Sequence, residues 1–233
     1  TMLHRVVEGL GESGVPESLR CLLLGGAPAG EELIREAVGR GFPVAYTYGL
    51  TEASSQVATA PPGLVRAKPG TVGSPLPGVE LRLSSQGEIL VKGPTVAPGH
   101  GGEDGWLATG DLGREDEDGH LWISGRLSDR IISGGVNVDP AEVEALLTSH
   151  SAVRDALVLG VPDPEWGERV VAVVAVGRHQ DPSEVELEEH LRRALSSPKR
   201  PRAFYFVDAL PLNPNGKVDR ERVRAILALR DGS

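Results

Sequence analysis

The sequence predicts an α/β remnant and a small antiparallel β-barrel, both parts of one large domain, followed by a small α+β carboxyl-terminal domain. Three changes of texture along the 233 residues carry that prediction. The first fifty residues read as helix, strand, helix, strand. Residues 63–125 are rich in Gly and Pro between short alternating runs. After Arg126, helical and strand periodicities alternate in a segment large enough to bury a core of its own.

Taken in order, Leu3, Val6, Val7 and Leu10 stand at helical spacing, and the run begins without an N-cap, as though its helix started upstream. Cys21-Leu22-Leu23-Leu24 is a short apolar run ending at Gly25-Gly26, which reads as a buried strand entering a turn. Residues 31–40 form an amphipathic helix closed by Gly41, and 43–47 a second strand. Loops at the carboxyl ends of such strands are where α/β folds bind ligands. Residues 79–83, 88–91 and 121–123 alternate as antiparallel strands, with Asp118-Gly119 as a tight hairpin signal. Beyond a boundary near 126–129, helices are expected over 140–147, 184–195 and 220–229, and strands over 156–159, 170–176 and 203–207. The domains are therefore expected at 1–126 and 127–233.

Composition removes several classes of function. Asp and Glu total 33 against 24 Lys and Arg, a net charge of -9, so no nucleic-acid surface is expected. No apolar run approaches the roughly 20 residues that span a bilayer. Cys21 is the single cysteine, so no internal disulfide forms and nothing calls for an oxidising compartment. The first ten residues lack a signal peptide's cleavage site. A cytoplasmic location is expected. Arginine is the default cation; the lysines are Lys68, Lys92, Lys199 and Lys217 alone.

Five short segments carry chemistry: Gly25-Gly26-Ala27-Pro28; Tyr48-Gly49-Leu50-Thr51-Glu52; Thr109-Gly110-Asp111; Gly125-Arg126 with Asp129 and Gly134-Gly135; and Asn215-Gly216-Lys217. Taken singly, each has an ordinary structural reading. The glycines suit a strand-to-helix turn, Tyr48 a core aromatic, Thr51 and Glu52 a helix cap, and Asp111 a turn. Arg126 suits a strand end, and Lys217 an exposed position after turn residues. In this order and spacing, over essentially the whole chain, they resemble the adenylate-forming superfamily of acyl-CoA synthetases, luciferases and peptide-synthetase adenylation domains.

That resemblance implies an ATP-dependent ligase that joins a small carboxylic acid to coenzyme A through an acyl-AMP. It assigns Gly25, Gly26, Ala27 and Pro28 to adenine, with the face of Tyr48 and the neighbouring Gly49 beside the nucleotide. Thr51 is assigned to phosphate, Glu52 to Mg²⁺, and Asp111 and Arg126 to the ribose. Ser128 falls at the hinge between two poses, where Asp or Lys is commoner. Gly134 and Gly135 border the pantetheine channel. Lys217 bridges substrate carboxylate and α-phosphate, a task suited to a compact ammonium. The family's Ser/Thr/Gly-rich phosphate loop is absent from these residues, so the chain is expected to be inactive alone. It is expected to expose apolar surface near its start, and to work with the amino-terminal remainder of the same protein or with a second copy.

Within the superfamily the chain is similar to the o-succinylbenzoate–CoA ligases of menaquinone biosynthesis, through residues 51–59, Gly73-Ser74-Pro75-Leu76, Arg126-Leu127-Ser128-Asp129 and 131–135. Val136 departs from the glutamate common there. Ser54, Ser55 and Gln56 set hydroxyl and amide groups at the acyl loop, which suits a keto diacid and equally suits a solvated loop. A peptide-synthetase adenylation domain and a noncatalytic nucleotide-binding module are the competing readings. The absence of a following carrier domain favours the CoA ligase over the first, and Lys217, Asp111 and Glu52 argue against the second.

Overall fold

In a computed structural model the described residues are 2–10, 14–177, 182–214 and 218–231. The chain divides into two compact units, Thr1–Leu127 and Ser128–Ser233.

In the first unit, helix α1 (Met2–Leu10) and helix α2 (Glu31–Gly39) contribute Leu3, Val7, Ile34 and Ala37 to one core. Gly41 ends the α2 turn with φ 92, a left-handed conformation that glycine adopts without a Cβ clash. Strand β1 (Leu22–Leu24) pairs in parallel with β2 (Val44–Leu50), completing the expected strand–helix–strand unit. Strand β2 runs three residues beyond the predicted end and turns back antiparallel into β3 (Ser55–Ala60), which was not anticipated because its first two residues are polar. A short helix α3 (Pro62–Ala67) follows; Pro62 at its first position needs no N–H partner and already has helical φ.

The Gly- and Pro-rich stretch folds as β4 (Glu80–Leu83), β5 (Glu88–Lys92), β6 (Leu107–Glu115) and β7 (Leu121–Arg126). These form an antiparallel meander in the order β4-β5-β6-β7. The sheet is open, a half-barrel, consistent with the small antiparallel barrel or sheet expected here. Its inward residues Ile89, Val91, Leu107 and Leu121 join the same core as β2 and β3, so both sheets of the unit share one apolar interior. Thr71 is fully buried, donating to the Leu121 carbonyl and accepting from Gly73 N–H, which ties the segment before β4 to β7. Met2, Val6 and Leu23 leave apolar side chains exposed, as expected near the start of the chain.

The second unit is built on β10 (Val153–Asp163) and β11 (Gly167–Val176). Strand β11 pairs antiparallel with β10 and parallel with β12 (Ala203–Val207). Residues 170–175 of β11 are all buried, which is why the sequence there is a continuous Val/Ala run instead of an alternating one. Helices α4 (Pro140–Thr148) and α5 (Glu184–Arg192) cover one face through Val143, Leu147, Leu187 and Leu191. Helix α6 (Arg220–Asp231) covers the other through Val223 and Leu227. Ser183 starts α5 with a reciprocal capping box to Glu186. Two three-residue strands, β8 (Ile131–Ser133) and β9 (Val136–Val138), extend the sheet's edge.

The tightest backbone approach lies at the β2–β3 turn. A Cβ on Gly49 would fall 1.8 Å from the Ser55 carbonyl oxygen, so only glycine fits. Gly49→Ala is expected to cost about 3 kcal/mol through this clash, read as a lower midpoint in urea unfolding. An unchanged midpoint would show that the turn relaxes freely.

Candidate active site

Strand β2 places Tyr48 at its inward-facing end, 8% exposed. Strand β6 brings Asp111 opposite Arg126 of β7, in direct register across the ladder. The three meet at one carboxylate. Tyr48 Oη donates to Asp111 Oδ2 at 2.8 Å, and Arg126 Nε lies 3.0 Å from Asp111 Oδ1. Asp111 is 6% exposed, so its charge requires both partners. The side chain of Arg126 is 65% exposed. Burial holds the Tyr48 hydroxyl well above its ordinary pKa, the Asp111 charge adding to the effect while Thr109 and Arg126 oppose it. Tyr48 is therefore a neutral donor across the working pH range.

Asp111 stands within a strand, whereas the sequence suggested a turn. Gly110 explains the difference: its φ of 70 kinks β6, and its N–H donates to Glu88 Oε1 at 3.0 Å. Thr109 accepts from Asp111 N–H and donates to the Ile89 carbonyl, so Asp111 is set by hydrogen bonds on the two residues before it. Motif reading did not single out Glu88 as a support.

Gly25, Gly26, Ala27 and Pro28 follow β1, at the carboxyl end of the parallel β1–β2 pair. Gly25 lies against Thr47 of β2, whose Cγ2 stands 2.5 Å from where a Cβ would be, and Gly26 has φ 79. Just beyond them, Ala29 N–H donates to Tyr46 Oη at 3.1 Å. Thr51 and Glu52 lie in a 3-10 turn that ends β2, with Thr51 exposed and Glu52 half-buried. The Glu52 carbonyl accepts from Ala97 N–H at 2.8 Å, fixing the turn. Ser54 and Ser55 have φ of 55 and 131, the sole non-glycine residues in the left-handed half of the map among the described residues. Strain of this kind persists only where the surrounding structure enforces it. Gln56 accepts a long hydrogen bond of 3.4 Å from Thr59 Oγ1.

In the second unit, Ser128 is exposed within a 3-10 turn that opens the unit. Gly134 and Gly135 form a two-residue hairpin loop between β8 and β9, both with positive φ. The pattern is a primed turn, which matches the twist of the flanking strands. Gly134 N–H donates to the Trp166 carbonyl, and a Cβ there would meet the indole at 2.9 Å. Arg202 stacks on the same indole, its guanidinium carbon 4.0 Å from the Trp166 ring centroid. Neither Trp166 nor Arg202 was singled out from sequence, since a lone Trp in a hairpin and an Arg before a strand carry no signature. Asn215, Gly216 and Lys217 lie outside the described residues.

One cluster of metal-ligand type lies elsewhere. Asp116, Asp118 and His120 converge on the β6–β7 hairpin. The ammonium of Lys68 pairs with both carboxylates, at 2.7 Å from Asp116, so a resident cation is already present.

The chain matches known proteins over both units. Residues 1–100 fit the model for the AMP-binding enzyme family, and 142–217 that for the AMP-binding enzyme C-terminal domain. The 2-succinylbenzoate–CoA ligase of Geobacillus sp. (strain WCH70) is 40% identical over 97% of this chain and 50% of its own length. The o-succinylbenzoate CoA synthetase of Bacillus subtilis, solved with the acyl-adenylate intermediate OSB-AMP, superposes with a TM-score of 0.83 at 38% identity, covering 96% of this chain and 49% of that one. The amide bond synthetase McbA of Marinactinospora thermotolerans superposes with a TM-score of 0.88 at 35% identity, over 97% and 50% of the two chains. The chain thus spans about half the length of the curated relatives it matches. With both of its units recognised and relatives near 40% identity across nearly its whole length, this chain belongs to the AMP-binding enzyme family.

Proposed function

We propose that the complete protein is an AMP-forming acid–CoA ligase acting on 2-succinylbenzoate in menaquinone biosynthesis, working in the cytoplasm, and that this chain supplies its ribose contacts and catalytic lysine. The observation that carries the reading is the shared carboxylate of Asp111, held by Tyr48 and Arg126. A carboxylate has about four acceptor positions. One on each oxygen is taken, which leaves one on each for a pair of vicinal ribose hydroxyls. Tyr48, its ring fixed through its own hydroxyl, offers a face to adenine, and the bare backbone of Gly25–Pro28 offers the other side. Gly49 keeps the neighbouring strand free of a side chain.

The reaction begins with attack of the substrate carboxylate on the α-phosphorus of ATP, expelling pyrophosphate. Thr51 hydrogen-bonds a phosphate oxygen. Glu52 fits a divalent cation: its carboxylate has no ion pair among the described residues, and its turn is anchored through the backbone. Magnesium held there would neutralise the phosphates. Lys217 brings its ammonium to the carboxylate and α-phosphate, where negative charge builds. Its retention among only four lysines supports that role. In the second step the CoA thiol attacks the acyl carbonyl and AMP leaves. Ser128 is proposed as the hinge between the two steps, the unit it opens being the mobile one. Gly134 and Gly135 present backbone to pantetheine, and Trp166 with its stacked Arg202 gives that hairpin a rigid aromatic floor. Ser54, Ser55 and Gln56 offer polar groups to the keto diacid.

The test is pyrophosphate release by the complete protein over a panel of acids, with and without CoA. Release confined to 2-succinylbenzoate, with thioester formed when CoA is present, is expected. Failure of every acid in the panel to give release would favour a noncatalytic nucleotide-binding module. Release without thioester, or transfer to an amine, would change the acceptor.

Two substitutions in the complete protein probe the assignments. Lys217→Ala should lower adenylation at least 1,000-fold (about 4 kcal/mol of transition-state stabilisation) while thioester formation from supplied acyl-adenylate persists. Equal loss of both steps would refute the role. Asp111→Asn should raise the KM for ATP by about tenfold to a hundredfold, the range for a lost charge-assisted hydrogen bond. An unchanged KM in steady-state kinetics would remove Asp111 from the nucleotide site.

A further inference from the structure

The second unit carries an ion-pair network that the mechanism above does not use. Arg220, the first residue of α6, lies with Nε 3.5 Å from Asp129 Oδ2 and Nη2 3.2 Å from Glu144 Oε1. A third nitrogen, Nη1, donates to the Val158 carbonyl at 3.3 Å. Glu144 also accepts from Val158 N–H at 2.9 Å, so carboxylate, guanidinium and one β10 peptide close a ring. Burial pushes the Glu144 carboxyl above its ordinary pKa, while the Val158 amide and Arg220 act the other way. None of the three charged side chains is more than 29% exposed, so the pairs escape most of the solvent screening that weakens surface salt bridges.

The placement of Arg220 in the chain gives this network its interest. It is three residues after Lys217, and Asp129 is the residue after Ser128. The segment leading to Arg220 is held on both sides. Leu212 and Val218 form a β-bridge, and Asp219 N–H donates to the Pro211 carbonyl at 2.8 Å. Asp219 then caps α6, accepting from Arg222 N–H. Just beyond this bridge, Arg220 bolts the start of α6 to β10, α4 and the turn containing Ser128.

We propose that Arg220 is a positioning residue for adenylation: through Asp129 and Glu144 it fixes residues 218–220, which follow Lys217 directly in the chain, relative to the proposed hinge turn. The inference rests on the assignment of Lys217 as the adenylating lysine. Arg220 touches neither substrate nor nucleotide in this reading. It acts by limiting where the lysine's backbone can stand, and small misplacements of a charge-stabilising group are costly in rate. A planar fork is needed to reach two carboxylates and a carbonyl together, which an ammonium cannot do.

The experiment uses the complete protein and measures adenylation by pyrophosphate release and thioester formation from supplied acyl-adenylate separately, with melting temperature alongside. Arg220→Ala should lower adenylation kcat about tenfold to a hundredfold, with the KM for ATP within twofold and thioester formation within threefold. Arg220→Lys, which keeps a charge and is the variant to read if the alanine form does not fold, should show the same selective loss at a smaller size. In the Lys217→Ala background, Arg220→Ala should add less than twofold to the residual adenylation defect, because both changes act through one group. Equal falls in the two half-reactions, a multiplicative effect in the double variant, or wild-type adenylation in the Arg220 variants would each overturn the proposal. If Lys217→Ala itself adenylates normally, the lysine assignment falls and this inference with it. If Lys217→Ala is inactive while Arg220→Lys and Arg220→Ala are unimpaired, the assignment stands and this inference alone fails.

Discussion

The charge on Asp111 is the constraint around which the first unit is arranged. A nearly buried carboxylate without partners would protonate or destabilise the fold by several kcal/mol. It is retained because a tyrosine from the other sheet and the arginine directly opposite on the neighbouring strand converge on it. For that to happen, β2 must run past the point where the apolar sequence stops, and β6 must kink at Gly110 so that consecutive residues Asp111 and Leu112 can both be buried. The shared core beneath the two sheets fixes their separation, and hence the 2.8 Å contact between Tyr48 and Asp111. A polar site is thereby held by apolar packing that never touches a ligand.

The second unit solves a different problem. Its central strand is covered on both faces, so its helices bury two separate apolar clusters. Such a layered unit retains its shape from its own contacts. At the edge of the sheet, between Ile131 and Val138 of one of those clusters, glycines set a tight loop against an indole. Rigid layers therefore display a narrow, backbone-rich edge, an arrangement that suits a ligand with a slender chain and little tolerance for side chains in its path.

Much of this was legible in the sequence wherever one period dominated. The strand–helix–strand start, the helices α4, α5 and α6, and the buried β11 run all show unbroken patterns. Legibility failed where glycines or short polar residues interrupt the period. Gly110 and Gly113 break β6 into pieces that read as turns, and Ser55-Gln56 hides the start of β3. Three-residue strands on either side of Gly134-Gly135 are too short to show alternation at all. At the candidate site, the sequence motifs named Tyr48, Asp111 and Arg126, which the fold brings together. Glu88, Trp166 and Arg202 were not named, because supporting roles depend on partners brought together by folding, and a single residue type does not encode its partner.

The scarcity of amines has a chemical corollary. Acyl-adenylates are mixed anhydrides, and any that leak would modify nearby nucleophilic nitrogen. Each of the three lysines among the described residues is occupied. Lys68 is clasped by Asp116 and Asp118, Lys199 pairs with Glu142, and Lys92 donates to the Asp104 carbonyl. Arginine, protonated at every physiological pH, supplies the remaining positive charge without offering a free electron pair. A surface built this way is poorly reactive toward the electrophile that its own catalytic cycle is proposed to generate, and so resists gradual self-acylation.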